Sequence, residues 1–192
     1  NTRTKAIIMT KCAGVILAGG LSSRMGQDKA SLKLDGTTLV GVTEELLRSA
    51  GLNQIYISSK AHIPDIIPDC GPLGGVYSVL CYDGAKHDHL LFVPVDMPGL
   101  TPAYLKQLIA APQDADLVHF CSKKMPFRLS TKDKWRQLAH SLLLEGKYFS
   151  LGHFQDQISE KLILDIALED EQFFVNINNP QEWQNFQNMG KT

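Results

Sequence analysis

Near its start, the chain has a short apolar strand that leads directly into a loop rich in glycine and basic residues. The run 15–18 is apolar and has the pattern of a buried strand. Gly19 and Gly20 follow it, and residues without a Cβ let backbone N–H groups come close to an anion. Arg24 and Lys29 add two cations to the same loop. This order of strand, glycine turn and cations predicts an α/β chain that cradles a triphosphate.

The spacing of the loop excludes two common phosphate motifs. It is not a Walker A loop, because Gly20 and Gly26 are wrongly spaced and no Lys-Ser or Lys-Thr pair follows, and it lacks the dinucleotide pattern GxGxxG. The alternative is a tight strand-to-helix turn with incidental basic residues. No His or Asp at a recognisable spacing marks Ser22 or Ser23 as a nucleophile, so we expect both to hydrogen-bond to phosphate.

The composition predicts one domain and no overall electrostatic attraction to nucleic acid or membranes. Of the 192 residues, 44% are hydrophobic, which is enough for one ample core, and we expect a single domain over 1–192. Nineteen basic and twenty acidic side chains give a formal net charge of −1. This balance favours neither nucleic acid nor an anionic membrane as a partner, so any anion must be bound locally.

The cysteines and the first residues favour a cytoplasmic location. Cys12, Cys70, Cys81 and Cys121 form no CxxC pair, which favours reduced thiols and argues against a zinc site. Residues 1–11 contain an apolar stretch too short for a signal-peptide core or a membrane span. We expect these residues to be a leader or a remnant of cloning.

Strand-like runs alternate with helical patterns. Apolar runs at 13–18, 54–58 and 90–95 predict strands, and the alternation predicts an α/β fold with a parallel sheet covered on both faces. Apolar residues at helical spacing predict a helix that ends before Gly51. We also expect helices that start at Gly74, Thr101 and Pro180, a helix along 135–143, and a weak strand near 162–166.

Asp96 is the candidate metal ligand. It follows the run 90–95 and therefore lies at the carboxyl edge, where ligands bind in open α/β sheets. Mg²⁺ prefers oxygen ligands and often takes one or two carboxylates together with substrate phosphates, so a single Asp can suffice. The alternative is that Asp96 caps the turn at Met97 and Pro98, and the two roles are compatible.

Two other segments carry weaker signals. Asp69 precedes a second glycine-rich loop, 70–75, which is suited to the wall of a base or ribose pocket. Asp69 is equally suited to a turn, and Gly74 and Gly75 to close helix packing. Asn178 stands just before the last predicted helix, where it can complete a metal site or cap the helix, and capping is the commoner role.

Four blocks of the chain resemble, in order, the signature of the molybdenum cofactor guanylyltransferases. The blocks are LAGG at 17–20 with SRMG at 23–26 and DK at 28–29, GPLGG at 71–75, PVDMP at 94–98, and NINNP at 176–180. The resemblance implies the nucleotide-diphospho-sugar transferase-like fold, a Rossmann-like three-layer α/β/α sandwich with a mostly parallel sheet. It also implies transfer of GMP from GTP to molybdenum-molybdopterin, with the acceptor's terminal phosphate attacking the α-phosphorus while pyrophosphate leaves.

The resemblance further implies roles for individual residues. Asp96 would hold Mg²⁺, for which Mn²⁺ can substitute, with Asn178 as a second candidate ligand, and Arg24 and Lys29 would neutralise phosphate charge. Molybdoenzymes or their chaperones, and a GTP-binding accessory protein of the same pathway, would be partners. The residues expected to bind GTP are Leu17, Ala18, Gly19, Gly20, Ser22, Ser23, Lys29, Ser58, Asp69, Gly74 and Asp96.

The chain departs from the family pattern in two places. Ser58 stands where the family commonly carries an asparagine. Its side chain is shorter, which leaves two alternatives: no direct contact with the base, or a contact through a water molecule. On the acceptor side the family tends to carry adjacent arginines, where this chain has Lys147. Lys123, Lys124 and Arg128 are candidates for the missing cations, with an exposed basic turn as the commoner alternative.

Three other functions stay open at this point. The nearest is cytidylyl transfer to molybdopterin or a sugar-phosphate nucleotidyltransferase on the same fold. Gly19 argues against cytidine, because the cytidylyltransferases are expected to carry alanine there and the missing methyl leaves room for a purine. The second is a non-catalytic paralogue that binds GTP as a sensor or cofactor-delivery scaffold. The third, an NAD-binding dehydrogenase, is disfavoured by the absent dinucleotide motif.

Overall fold

A mixed six-stranded sheet forms the centre of the computed structural model, which describes residues 11–19, 33–34, 36–146 and 150–189. The strands are β1 (Cys12–Leu17), β2 (Lys33–Leu34), β3 (Thr37–Thr38), β4 (Ile55–Ser58), β5 (His89–Pro94), β6 (Leu117–Phe120), β7 (Phe127–Ser130) and β8 (Lys161–Leu164). The central sheet has the order β4-β1-β5-β7-β6-β8, and β2 pairs with β3 in a separate two-stranded sheet.

One strand of the central sheet runs against the others. β1 pairs parallel with β4 and β5, and β6 pairs parallel with β8. β7 is antiparallel to both of its neighbours, β5 and β6. The predicted α/β fold with a mostly parallel sheet is therefore confirmed, and the carboxyl ends of all the parallel strands lie at one edge.

Helices cover both faces of this sheet. They are α1 (Leu39–Ser49), α2 (Gly71–Asp83), α3 (Pro102–Ala110), α4 (Asp133–Glu145), α5 (Leu151–Asp156) and α6 (Pro180–Met189), with 3₁₀ segments at Gly84–Lys86 and Leu168–Phe174. Alternate residues of β1 point to opposite faces: Val15 joins the core beneath α2, α4 and α5, and Ile16 the core beneath α1, α3 and α6. In the described part of the chain, no helix combines the length and apolar composition needed to cross a bilayer.

Local signals explain where several helices begin and end. The Thr38 hydroxyl accepts a hydrogen bond from Gly41 N–H at 3.1 Å and caps α1. Gly51 follows this helix with φ +101°, as its predicted position requires. The predicted helices from Thr101 and Pro180 also form. α2 begins at Gly71 instead of Gly74, because Pro72 fits the first turn of a helix.

β7 brings Arg128 into the interior. This side chain is 1% exposed, and its guanidinium donates to the carbonyls of Ile109 at 3.2 Å, Ala111 at 2.8 Å and Pro112 at 2.6 Å. Those carbonyls lie at the C-terminal end of α3, where a cation is favourable. Arg128 is thus committed to closing α3, and its assignment as an acceptor-side cation is wrong.

Candidate active site

A cavity of about 630 Å³ lies at the carboxyl edge of the sheet, where β1, β4 and β5 end. Its wall combines these strand ends with the loop that precedes α2 and with single residues from two later segments. The described lining residues are Leu17, Ala18, Gly19, Ser58, Ser59, Lys60, Pro64, Asp65, Pro68, Asp69, Gly71, Pro72, Gly75, Pro94, Val95, Asp96, Met125 and Asn176. This is the edge at which open α/β sheets bind ligands.

The backbone that leaves β1 is held between its two neighbours. Ala18 N–H donates to the Ser58 carbonyl at 3.0 Å, and Val95 N–H donates to the Leu17 carbonyl at 3.2 Å. A Cβ placed on Gly19 would lie 3.7 Å from the Ser58 carbonyl oxygen, the nearest atom among the described residues and an ordinary van der Waals distance. The end of β1 is therefore a fixed floor, and the described residues leave room for a Cβ at Gly19.

Ser58 is packed directly against the second glycine-rich loop. Its side chain is 1% exposed. A Cβ on Gly75 would lie 2.6 Å from Ser58 Oγ and 3.1 Å from a methyl carbon of Leu17. Position 75 must therefore stay without a side chain for α2 to approach β4. The predicted role of Gly75 in close packing is confirmed, and the same residue also lines the cavity.

Gly74 lies one residue earlier and is not among the described residues of the cavity wall. A Cβ there would meet the Cys70 Cβ at 3.2 Å and the Asp65 carboxylate at 3.3 Å. The absence of a side chain at Gly74 thus lets the loop 65–70 fold closely over the start of α2. A direct contact between Gly74 and GTP stays a prediction.

Two carboxylates, Asp65 and Asp69, line the same wall of the cavity. Asp69 has φ +59°, a left-handed conformation that Asp adopts more readily than most residues. Burial raises the pKa of Asp65, and the charge of Asp69 raises it further. Burial and then these two carboxylates also raise the pKa of the Cys70 thiol. The wall is therefore acidic and offers hydrogen-bond acceptors.

Sequence analysis missed Asp65. It precedes Asp69 by four residues, and each Asp follows a proline, Pro64 and Pro68. That repeated Pro-Asp pair was the available signal, since a proline-restricted loop can hold two carboxylates on one side. Without the fold, nothing in the sequence shows that the loop turns both toward the cavity.

Asp96 lies at the carboxyl end of β5 and lines the cavity, as predicted. The backbone N–H of Ile177 donates to the Asp96 carbonyl at 2.8 Å. This bond brings the segment after the last 3₁₀ helix to the same edge, and Asn176 joins the wall. The described site therefore offers a carboxylate and an amide oxygen, both donors that Mg²⁺ accepts.

Asn178 is exposed and is not among the described lining residues. Its backbone N–H donates to the Glu182 carboxylate at 2.6 Å. The side chain that caps α6 belongs to its neighbour, since Asn179 Oδ1 accepts from Glu182 N–H at 2.9 Å. Asn178 as a metal ligand stays a prediction.

The donor set fits a metal held jointly with substrate. Among the described residues, no three His, Cys, Asp or Glu side chains gather into a site that could hold a metal by protein alone. Mg²⁺ typically takes one or two carboxylates and completes its shell with phosphate oxygens and water. Asp96 and Asn176 beside an open cavity match that requirement.

Several predicted site residues lie outside the described residues. They are the phosphate-loop positions Gly20, Ser22, Ser23, Arg24 and Lys29, together with Lys147 on the acceptor side and most of the segment 1–11.

The turn between β6 and β7 forms another part of the cavity rim through Met125. Lys124 in this turn forms an exposed ion pair with Asp156, Nζ to Oδ1 at 3.1 Å. Lys123 is partly buried in the same turn, and its backbone N–H donates to the Phe120 carbonyl at 3.1 Å. Lys60, after β4, adds a cation to the wall itself.

Residues 14–154 match the family model of the MobA-like NTP transferase domain. The chain is 39% identical to a molybdenum cofactor guanylyltransferase of Xanthomonas euvesicatoria, over 88% of this chain and 91% of the relative. It is 28% identical to a probable molybdenum cofactor guanylyltransferase of Bacillus cereus, over 91% of this chain and 95% of the relative.

Solved structures share the fold at low sequence identity. The molybdopterin-guanine dinucleotide biosynthesis protein A of Archaeoglobus fulgidus has a TM-score of 0.69 at 14% identity, covering 93% of this chain and 98% of that one. Rv0371c of Mycobacterium tuberculosis, crystallised with manganese, has a TM-score of 0.62 at 17% identity, covering 93% and 99%. A 4-diphosphocytidyl-2C-methyl-D-erythritol synthase of Anaerococcus prevotii has a TM-score of 0.71 at 10% identity, covering 95% and 97%.

Proposed function

This chain belongs to the MobA-like NTP transferase family, and we propose that it is a molybdenum cofactor guanylyltransferase that transfers GMP from GTP to molybdenum-molybdopterin. The observation that carries this function is the 39% identity to a relative of that name over 88% of the chain. The cavity supports it because an acidic wall and a candidate metal carboxylate stand on different loops around one space.

The acidic wall is suited to the guanine. Asp65 and Asp69 repel a polyphosphate, so the triphosphate is expected to lie toward Asp96 and the base toward the acidic wall. Guanine presents N1–H and an exocyclic amine side by side, and a carboxylate can accept from both. Cytosine and adenine do not present this pair of donors. The acidic wall therefore favours GTP over the other nucleotides.

The phosphate end of the site requires cations. We expect Asp96 and Asn176, which both line the cavity, to hold Mg²⁺, or Mn²⁺ in its place, which would neutralise charge on the phosphates when bound. We expect Arg24 and Lys29 to add fixed positive charge, and Gly20, Ser22 and Ser23 to donate hydrogen bonds to the same oxygens. The backbone from Leu17 to Gly19 orients the nucleotide above the floor of the site.

The reaction then needs positioning more than proton transfer. An oxygen of the acceptor's terminal phosphate forms a bond to the α-phosphorus, and the bond from that phosphorus to the β-phosphate bridging oxygen breaks. Pyrophosphate leaves, and no strong general base is needed because the attacking phosphate is already ionised at neutral pH. We expect Lys60, which lines the cavity, and Lys123 and Lys124, which precede the lining residue Met125, to supply cations for the acceptor.

The test is pyrophosphate release from GTP in the presence of molybdenum-molybdopterin and Mg²⁺. We expect activity in the wild type and its loss in Asp96→Ala, with activity retained in the control Asp114→Ala, whose side chain is exposed outside the cavity wall. Wild-type protein that binds GTP but releases no more pyrophosphate than Asp96→Ala would instead identify a GTP-binding scaffold. A thermal-shift series with GTP, CTP, ATP and UTP separates guanylyl from cytidylyl transfer, because a bound ligand raises the melting temperature.

A further inference from the structure

Ser78 is a buried hydroxyl in an apolar stretch of α2. It is 1% exposed, and its helix neighbours Tyr77 and Val79 belong to the core beneath α2. A serine inside a helix bonds to nearby backbone groups and favours the helix less than alanine does. At a position that served packing alone, alanine would therefore be the better residue. The hydroxyl points to a role outside the helix.

Both hydrogen-bonding functions of this hydroxyl are in use. Ser78 Oγ donates to the Gly74 carbonyl at 2.8 Å and accepts from the backbone N–H of Ile66 at 2.8 Å. Because its hydrogen is directed at Gly74, a lone pair of the oxygen is fixed toward Ile66. Ile66 lies twelve residues earlier, in the loop that brings Asp65 to the cavity wall. The hydroxyl therefore ties this loop to α2.

The tied peptide unit is the one directly after Asp65. The N–H of Ile66 and the C=O of Asp65 belong to one planar group, so fixing that plane limits the direction in which the Asp65 side chain leaves the backbone. The carboxylate lies against Gly74, where an added Cβ would be 3.3 Å from Asp65 Oδ2. The hydrogen bond and the missing side chain thus hold Asp65 against the same turn of α2.

Other forces act to turn this carboxylate outward. Of residues 64–69, Asp65 and Ile67 are half-buried and the other four are exposed, with Ile66 at 57%. Burial raises the pKa of Asp65, and the charge of Asp69 raises it further. Both effects disfavour the ionised carboxylate where it stands. A loop without its tie would relieve them by moving Asp65 into water and away from Asp69.

We propose that Ser78 is a positioning residue for nucleotide selectivity, whose hydroxyl holds Asp65 at the cavity wall to accept from guanine. This inference rests on the proposed function, because Asp65 is the group through which Ser78 acts. Ser78 is not among the described lining residues, so its effect reaches the nucleotide through the loop. Its loss is expected to change the choice of base, since the candidate metal ligand Asp96 stands on a different loop.

Amide hydrogen exchange on the free protein tests the tie itself. In Ser78→Ala, the Ile66 N–H loses its acceptor and should exchange at least about tenfold faster. Thr43→Val is the matched control, because the buried Thr43 hydroxyl donates to the Leu39 carbonyl at 2.8 Å within α1 and holds no part of the acidic loop. Thermal melts show that each variant is folded. Unchanged exchange of the Ile66 N–H in Ser78→Ala would overturn the proposal.

Titration calorimetry with GTP and CTP tests the consequence. Ser78→Ala should lower the ratio of GTP to CTP affinity about tenfold with CTP binding unchanged, whereas Thr43→Val should leave the ratio as in the wild type. The double variant Ser78→Ala/Asp65→Asn should match Asp65→Asn alone. The two losses do not add when one residue acts through the other.

The outcomes separate this inference from the proposed function. A ratio unchanged in Ser78→Ala but lowered in Asp65→Asn would overturn the role of Ser78 alone, as would losses that add in the double variant. Equal weakening of GTP and CTP binding in Ser78→Ala would show a merely structural role and also overturn it. A wild type that does not prefer GTP, with no effect of Asp65→Asn, would overturn the guanine assignment of the proposed function and this inference with it.

Discussion

The backbone N–H of Ile177 donates to the carbonyl oxygen of Asp96 at 2.8 Å. This bond joins the segment before α6 to the loop after β5, so that Asn176 and Asp96 line the same cavity although they are far apart in sequence. Of the two neighbouring asparagines, Asn176 is among the described residues of the cavity wall and Asn178 is not.

Exchange of Asn176 for alanine tests which asparagine serves the metal. Because Asn176 lines the cavity and Asn178 is not among the described lining residues, Asn176→Ala should raise the Mg²⁺ concentration for half-maximal activity about tenfold. Asn178→Ala should have the smaller effect. The measurement is pyrophosphate release during a Mg²⁺ titration. A larger effect in Asn178→Ala would return the ligand role to that residue.

Removal of the Asp65 charge should weaken the preference for guanine. In Asp65→Asn, an amide replaces a carboxylate that we propose accepts from both base donors, so we expect about 10- to 100-fold weaker GTP binding with little change for CTP. Titration calorimetry with each nucleotide measures this. Asp69→Asn shows whether the second carboxylate shares the role, and Asp114→Asn controls for the loss of one negative charge. Equal weakening of GTP and CTP binding would contradict base recognition by this wall.

A methyl group at position 19 should select against the purine without disturbing the fold. The nearest described atom to a Cβ on Gly19 is the Ser58 carbonyl oxygen at 3.7 Å, so the described part of the protein has room for it. We expect Gly19→Ala to lower GTP affinity relative to CTP while the melting temperature of the free protein changes little. A thermal-shift series on the variant measures both quantities. Unchanged GTP affinity would show that the base does not approach this residue.

A methyl group at position 75 should instead destabilise the fold. Its Cβ would lie 2.6 Å from Ser58 Oγ, so Gly75→Ala is expected to lower the free energy of unfolding by about 1–3 kcal/mol. Urea unfolding measures the loss, and the added change Ser58→Ala should recover part of it. Gly84→Ala is the matched control after the same helix, because a Cβ there meets Leu80 only at 3.5 Å or more. Equal effects at both glycines would exclude the contact with Ser58 as the cause.

The stability of the protein should fall on mild acidification because of His89. This side chain is 4% exposed, and burial, followed by the charge of Arg128, lowers its pKa. The unfolded chain then takes up a proton near pH 6.5 while the folded chain does not, so stability is lost as pH falls below that value. The contribution of one such group is at most about 1.4 kcal/mol per pH unit.

Unfolding by urea between pH 7 and pH 5 measures this dependence. His89→Leu should reduce the loss of stability over this range, whereas His62→Gln, at an exposed position, should leave it unchanged. An unaltered pH dependence in His89→Leu would assign the acid sensitivity to other groups.

Contiguous motifs account for most of what could be predicted. Three parts of the site lie at the end of a strand or just before a helix: the floor from Leu17 to Gly19, Asp96 and Asp69. The carboxyl ends of parallel strands necessarily meet at one edge of the sheet. A resemblance spread over four ordered blocks then identified the family. These features depend on local chain direction and on residue type, which the sequence contains directly.

Other features depend on which segments meet. β7 enters the sheet antiparallel and buries Arg128, which composition alone presents as a surface cation. Asp65 faces the cavity through the path of its loop, and Asn176 reaches it through a backbone bond to a distant residue. None of these contacts has a period or a spacing in the sequence, because each depends on packing between remote segments.

By itself, therefore, the sequence determined the α/β class, the family and which strands end at the site. These follow from the hydrophobic period and from contiguous motifs, which are local properties of the chain. Only the tertiary structure decided which carboxylates and amides share one cavity, why Gly75 must lack a side chain, and which strand is left at the edge. The physical reason is that pairing order and side-chain packing are set by contacts between segments far apart in the chain.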